Sequence, residues 1–307
     1  MQRYIAGRLI QSLLTLVVIS LFVFGLVRLT GNPLDVMLPL DAPPDLRHQV
    51  SQQLGLNRPL HVQYLLFLQS LIRGDLGTSI RTRRPVTELL WQRLPNSLKL
   101  IGASMVLVLV IALPLGVLAA TRKDSFWDVA ARTLALLGQS IPTFWAGIIL
   151  ITVFAVRLEL LPAGGDQGPE YLVLPAMTLG LFGFMLAGVV RLLRVSMLDV
   201  LDSEYVKFAR IKGVSEPAVV WKHALKNALI PVVTFVGFYF GILLAGTVVV
   251  ETVFAWPGIG RLAYEAVQWR DYPVIQGVVL LVSGITLATN MLVDVLYAYL
   301  DPRIRYG

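Results

Sequence analysis

The chain has 307 residues, of which 56% are hydrophobic and 15% charged, with a formal net charge of +7 and no cysteine. Soluble domains carry about 25% charged residues, so the apolar surplus exceeds what one core needs and points to a bilayer. The basic excess reads as membrane orientation rather than nucleic-acid binding, and the lack of cysteine excludes a disulfide framework, a zinc–thiolate site and a cysteine nucleophile.

A helix rises about 1.5 Å per residue, so about 20 apolar residues cross the hydrocarbon. Six windows of 19 to 24 residues hold no Asp, Glu, Lys or Arg: 9–27, 100–121, 133–156, 171–190, 227–250 and 274–293. They predict six transmembrane helices. The first follows Arg3 and Arg8 as a signal peptide would, but its apolar run is too long and no small-x-small site follows at Arg28-Leu29-Thr30-Gly31, so a retained helix is expected.

Residues 31–96 form a long loop with structure of its own. Residues 45–54 and 60–72 have helical spacing, with Tyr64, Leu65, Leu68 and Ile72 on one side. Residues 86–94 read as a short amphipathic helix stopped by Pro95. Together they predict an external layer that shares in partner contact. Pro114, Pro142, Pro175 and Pro231 fall within later spans, where each removes a backbone donor and predicts a kink.

Between the fourth and fifth windows lies 198–227. Leu198, Leu201, Tyr205 and Phe208 recur at helical spacing. Gly213 suits a left-handed C-cap. Ser215, followed by Glu216 and Pro217, starts a second short helix carrying Val220, Trp221, Ala224 and Leu225. From Glu204 to Lys226 there are five basic and two acidic residues. Such an apolar and basic hairpin fits a groove on a partner protein, and equally a layer of anionic headgroups.

Orientation follows from Lys and Arg. Arg3, Arg8, Arg122, Lys123, Arg132, Arg191, Arg194, Lys207, Arg210, Lys212, Lys222, Lys226, Arg303 and Arg305 share one side, whereas the two short opposite loops hold only Arg157, Arg261 and Arg270. Both termini are therefore expected in the cytoplasm. The first loop, counted through Lys99, carries eight basic residues, but long loops cross largely regardless of charge.

No GxxxxGK[ST] phosphate loop and no HExxH motif occurs, and His48, His61 and His223 are scattered. No catalytic residue and no metal site is expected. An ion-coupled secondary transporter places ionisable groups inside its spans; here the span centres have none, Asp294 lies near an end, and no inverted repeat relates the halves. No filter motif suggests a channel, and a bare scaffold does not account for polar groups in the spans. Candidates to line a translocation path are Ser104, Gln139, Ser140, Thr143, Thr178, Tyr239, Thr247, Ser283 and Asn290, each of which serves equally well as an interhelical hydrogen-bonding group. Trp256-Pro257-Gly258 reads as a tight interfacial turn, an outer mouth or an aromatic anchor.

The segment EYVKFARIKG, followed by a short helix and HALKNALIPVVT, resembles the cytoplasmic "EAA" loop of binding-protein-dependent transport permeases, in the variant of the dipeptide, oligopeptide and nickel permease family. In agreement are MQRYIAGRLIQSLLTLVVISLFVF, GDLGTSIRTRRPV, LPNSLKL, VVVETVFAWPGIGRL, RDYPVIQG and VDVLYAYLDPRIRYG, in order along almost the whole chain. The resemblance implies an all-α membrane protein of six transmembrane helices, N-in and C-in, with the type I ABC importer permease fold (MetI-like), an external loop layer and cytoplasmic coupling helices. Residues 1–96 would form the first helix and long loop, and 97–307 the permease core with the coupling loop 198–227. Implied partners are a second homologous permease, two cytoplasmic ATPase subunits that bind ATP and Mg, an external substrate-binding protein and the lipid bilayer, with no cofactor in this chain. The ATPase-coupling positions would be Glu204, Tyr205, Ala209, Lys212, Gly213, Val220, Trp221, His223 and Asn227; Ile211 departs from the alanine usual in the pattern. The implied setting is a bacterial or archaeal cytoplasmic membrane. The implied cargo is peptides or similar small solutes, with nickel or a metal chelate, glutathione and opines as alternatives.

Overall fold

The computed structural model describes residues 2–29, 34, 38, 42–53, 55, 57–58 and 59–300, the side chains of 2–5 and 296–300 excepted. The side chain of Arg3, Arg303 and Arg305, the start of the first loop and the end of the C-terminal motif lie outside the described residues. Those described form helices and connections: α1 (Gln2–Leu29), α2 (Pro44–Gln53), α3 (Leu60–Ile72), α4 (Val86–Thr121), α5 (Phe126–Ser140), α6 (Thr143–Arg157), α7 (Pro169–Leu181), α8 (Phe184–Leu201), α9 (Glu204–Ile211), α10 (Glu216–Val253), α11 (Ile259–Gln268) and α12 (Tyr272–Leu300).

Four helices are long and apolar enough to cross a membrane unaided: α1, α4, α10 and α12. The remaining two windows are broken. α5 and α6 meet at 97°, and α7 and α8 at 56°, so six spans result when each pair counts as one. The first break is at Ile141-Pro142, where proline cannot donate to the preceding turn. The second is at Phe182-Gly183, and no proline signals it. Pro114 and Pro231 instead sit within unbroken helices, and Pro175 lies in the middle of α7, in the first turn of its α-helical part from Val173.

Pro95 does not stop the helix at 86–94: α4 continues through it for 36 residues. The division expected at residue 96 thus falls inside one helix. Side chains on both sides of the proline are held, with Leu94 buried and Ser97 fully enclosed, and this fixation outweighs the lost backbone bond. On α3 the inward face also differs from the expected one. Tyr64 and Phe67 pack near Phe24 of α1, and Tyr64 Oη lies 2.9 Å from Ser20 Oγ, while Leu65 and Ile72 are exposed.

α4 and α8 form the centre of the core, where Leu100, Ile101, Leu193 and Met197 are fully enclosed, joined by Leu244 and Phe254 of α10 and the turn after it. A second apolar cluster of Val86, Leu90, Leu94, Ile259, Leu262, Val274 and Val278 binds the start of α4 to α11 and α12. α1 lies on α12, with Arg8 paired to Asp294 at 3.2 Å. Its other face, with Leu9, Leu13, Leu14, Leu21 and Phe22, stays exposed. Apolar side chains in such a stripe need lipid or another apolar surface to cover them.

Candidate coupling element and translocation face

α8 passes through Asp202 and Ser203 into α9, which ends in a tight reversal. Val214 N–H donates to Ala209 O at 3.2 Å and Gly213 N–H to Arg210 O at 3.0 Å, the paired bonds of a Schellman ending. Gly213 has φ +81, a conformation that costs a side-chain-bearing residue energy. Open space surrounds its Cβ position, so backbone angle, rather than crowding, calls for glycine.

The second short helix expected after Ser215 is instead the first part of α10, continuous with the span. Pro217 sits in its first turn and a π-helical stretch follows over Val219–Ala224. The extra residue per turn rotates the side chains, and this decides which of them face outward. Val219 and Ala224 are fully buried, Val220 and Leu225 lean on the core, and Trp221 is 53% exposed. The outward apolar surface comes from both helices: Tyr205, Phe208, Ile211 and Trp221. Val206 alone of α9 is buried, which seats the helix.

The two arms are tied together. Asn227 Nδ2 donates to Tyr205 Oη at 2.7 Å, and Arg210 Nε to Glu216 Oε1 at 2.7 Å across the glycine turn. Lys207 reaches Asp202 and Glu204, each at 3.2 Å; its hydrogen bonds to Glu204 and then Asp202 raise its pKa above the ordinary lysine value. Lys212 lies 4.7 Å over the Phe208 ring. Much of the basic charge therefore has an internal partner, and apolar area is what the element offers outward. Ala209 and His223 are half-buried, and Glu204 is exposed.

The path candidates separate into three groups. Gln139, Ser140 and Thr143 gather at the α5–α6 break, where Ser140 is exposed. Tyr239, Ser283 and Asn290 are half-buried on α10 and α12; Tyr239 stacks on Phe235 at 5.4 Å, and Asn290 Oδ1 is enclosed without a hydrogen-bond partner. Ser104, Thr178 and Thr247 are fully enclosed and donate to carbonyls of their own helices. These three are packing residues in this conformation and line no open surface.

Three enclosed acids escaped the sequence reading. Asp128 accepts from Arg194 Nε and Nη2, each at 2.7 Å. Glu251 accepts from Ser97 Oγ at 2.6 Å and from Arg261 N–H at 2.9 Å, and Ser97 Oγ in turn accepts from Ile259 N–H at 2.8 Å. Glu251 and Ser97 thereby satisfy free donors at the start of α11. Asp271 accepts from Ser79 Oγ at 2.5 Å, Ile80 N–H at 3.0 Å and Arg81 N–H at 3.3 Å. Their side-chain partners Arg194, Ser97 and Ser79 lie 66 to 192 residues away in sequence, and no local pattern announces these pairings.

Six apolar spans, two of them broken, with a short helical hairpin projecting beyond them, define a polytopic membrane transport subunit. The chain belongs to the family "binding-protein-dependent transport system inner membrane component", whose description matches residues 112–306; the corresponding N-terminal family matches residues 1–101. It is 42% identical over 307 residues to the glutathione transport system permease protein GsiC of Escherichia coli K12, and 37% identical over 335 aligned positions to the dipeptide transport system permease protein DppB of Alkalihalophilus pseudofirmus, each covering 100% of both chains. Among solved structures, the inward-facing MetNI methionine ABC transporter matches with TM-score 0.58 at 18% identity, over 69% of this chain and 96% of that one. An amino acid ABC transporter matches with TM-score 0.53 at 13% identity, over 69% and 94%. The fold is that of a type I ABC importer permease. The chain is a multi-pass subunit of the inner membrane that works with ATPase and binding-protein partners, and ATP hydrolysis belongs to those ATPases.

Proposed function

We propose that this chain forms part of the membrane path of an importer of short peptides, alongside a second homologous permease. Two cytoplasmic ATPase subunits, which hold ATP and Mg, bind α9 and the start of α10, and an external binding protein delivers solute to the outer layer. The observation that carries this reading is the exposed apolar surface of Tyr205, Phe208, Ile211 and Trp221, outside the spans and fixed by the turn at Gly213. Exposed aromatic residues on a rigid hairpin are the anchors a partner groove selects.

Glu204, Ala209, Lys212, His223 and Asn227 support the hairpin or flank this surface, and Val220 holds it to the core. Gln139, Ser140, Thr143, Tyr239, Ser283 and Asn290 are the path residues of the reading. Peptide cargo is favoured because the full-length relatives are named for dipeptide and glutathione transport, and glutathione is itself a tripeptide.

The test is co-purification of the assembled transporter followed by uptake in proteoliposomes. Retention of ATPase subunits, lost in Trp221→Ala/Phe208→Ala, together with ATP-dependent uptake of labelled dipeptides or glutathione, is the expected result. A chain that purifies alone and moves solute without ATP overturns the reading.

A further inference from the structure

The two helix breaks touch each other. A Cβ on Gly138, two residues before the end of α5, would lie 2.5 Å from the carbonyl oxygen of Leu181, the last residue of α7. On one side of this contact α5 packs on α8; on the other α6 packs on α7. α4 passes both pairs. It meets α7 where Gly180 faces the Ser104 carbonyl, and α8 where Gly116 faces Leu193, and Pro114 lies between these contacts. Proline leaves the helix without one bond there, so all three chains passing this level are weakened near it.

Besides the buried alanines Ala131 and Ala135, a polar contact joins α5 to α8. Asp128 is fully enclosed, with Arg194 14% exposed. Its carboxylate takes both Arg194 bonds at 2.7 Å, the Asp124 N–H at 3.0 Å, and Arg132 at 3.0 Å from its own helix. Two parallel charged bonds to one guanidinium fix direction as well as distance. A buried ion pair is seldom more stabilising than apolar side chains of the same volume, so its particular contribution is to geometry. The other pair has different anchors: Gly147 of α6 lies against Phe254, and Gly165 after α6 donates to the Phe254 carbonyl at 2.9 Å.

We propose that Asp128 and Arg194 are positioning residues that make α5 follow the coupling helix, so that α5, α8 and α9 travel as one body against α6 and α7 about the paired breaks. α8 is joined to α9 through two residues, and Arg194 stands on α8, so movement imposed at α9 reaches α5 through this clamp. Gln139, Ser140 and Thr143 sit where the bodies part, and the motion therefore alters the break at which the polar path candidates gather. The inference rests on the coupling role proposed for α9.

The chain contains no cysteine, so spin labels can be placed alone on exposed sites: Leu134 on α5, Lys207 on α9 and Val267 on α11. Pulsed dipolar distances are measured in the complete transporter in nanodiscs, nucleotide-free and trapped with ATP and vanadate. Expected is a shift of both Val267–Lys207 and Val267–Leu134, with Leu134–Lys207 unchanged. In Asp128→Asn the Leu134–Lys207 distribution broadens, uptake per ATP hydrolysed falls about tenfold, and Arg194→Lys gives an intermediate loss. If Val267–Lys207 shifts while Val267–Leu134 stays fixed, the clamp is overturned and the coupling role of α9 stands. If neither distance shifts in a complex that transports, the coupling role fails and the clamp with it. The wild-type distances decide the matter even where a variant fails to accumulate.

Discussion

The outer layer and the coupling element are both built from short helices and turns beside the spans, yet they are held in opposite ways. The outer layer carries exposed ions such as Arg84 and Glu88, but two enclosed acids hold it together. Glu251 is fully buried and Asp271 is 4% exposed, and their oxygens take serine hydroxyls from distant segments and backbone N–H groups from both near and far. In the coupling element the ions are outside: Arg210 and Glu216 are 40% and 63% exposed, and the aromatic groups stand out with them. A buried carboxylate bonded to backbone has one low-energy geometry and penalises any other. Exposed pairs are weak and screened. The outer layer is therefore suited to keep its shape, and the coupling element to be seized and moved by its apolar surface.

The largest effect expected from this contrast comes from Glu251. Glu251→Ala leaves the Ser97 hydroxyl and the Arg261 N–H without their acceptor, and is expected to cost about 3–5 kcal/mol. It is read as loss of membrane abundance and a lowered Tm of the purified complex; wild-type stability would show that Glu251 does not hold α11. Asp271→Asn is next, at about 1–3 kcal/mol. Here the expected readout is local, with faster tryptic cleavage at Arg81 and Arg83 from the outer side while the spans stay intact.

The coupling element should respond in function rather than in folding. Gly213→Val forces a β-branched residue to φ +81 and is expected to cost about 1–2 kcal/mol locally, with ATPase retention reduced and insertion normal. Gly213→Asn, which tolerates that conformation better, should be milder, and equal loss in both would point to crowding in the docked state. Smallest is Arg210→Ala, which breaks an exposed pair worth about 0.2–1 kcal/mol. It should leave uptake nearly unchanged and so separate the scaffold charges from the docking surface.

The same contrast explains what the sequence made legible. Span lengths, the α3 boundaries and the Gly213 turn each follow from a local cause: an apolar run, helical spacing, or the one residue that accepts positive φ cheaply. Pro142 was legible as a break for the same reason. Pro95 misled because a proline removes one bond, and the contacts of Leu94 and Ser97 outweigh it. Val220 turned inward because the π-helical stretch rotates the face, which a 3.6-residue period cannot foresee. The three enclosed acids depend on contacts remote in sequence, whereas the break at Gly183 has a local mark, a glycine at φ +155, that no proline flags. Ser97 and Glu251, 154 positions apart, carry no shared local pattern, although glycines at 258 and 260 beside a lone acid at the end of an apolar run give a faint signal in retrospect: a Cβ on either would come within 3.0 Å of the Glu251 carboxylate.

The measurement that bears most directly on the proposed coupling role compares ATP hydrolysis with solute uptake in proteoliposomes containing the whole transporter and its binding protein, for wild type and Trp221→Ala/Phe208→Ala. Loss of these two aromatic anchors is expected to lower uptake at least about tenfold, with the permease inserted at normal abundance and stimulation of ATPase by the binding protein abolished. Uptake and stimulation at wild-type levels in that variant would contradict the account, because the surface on which it rests would then be idle.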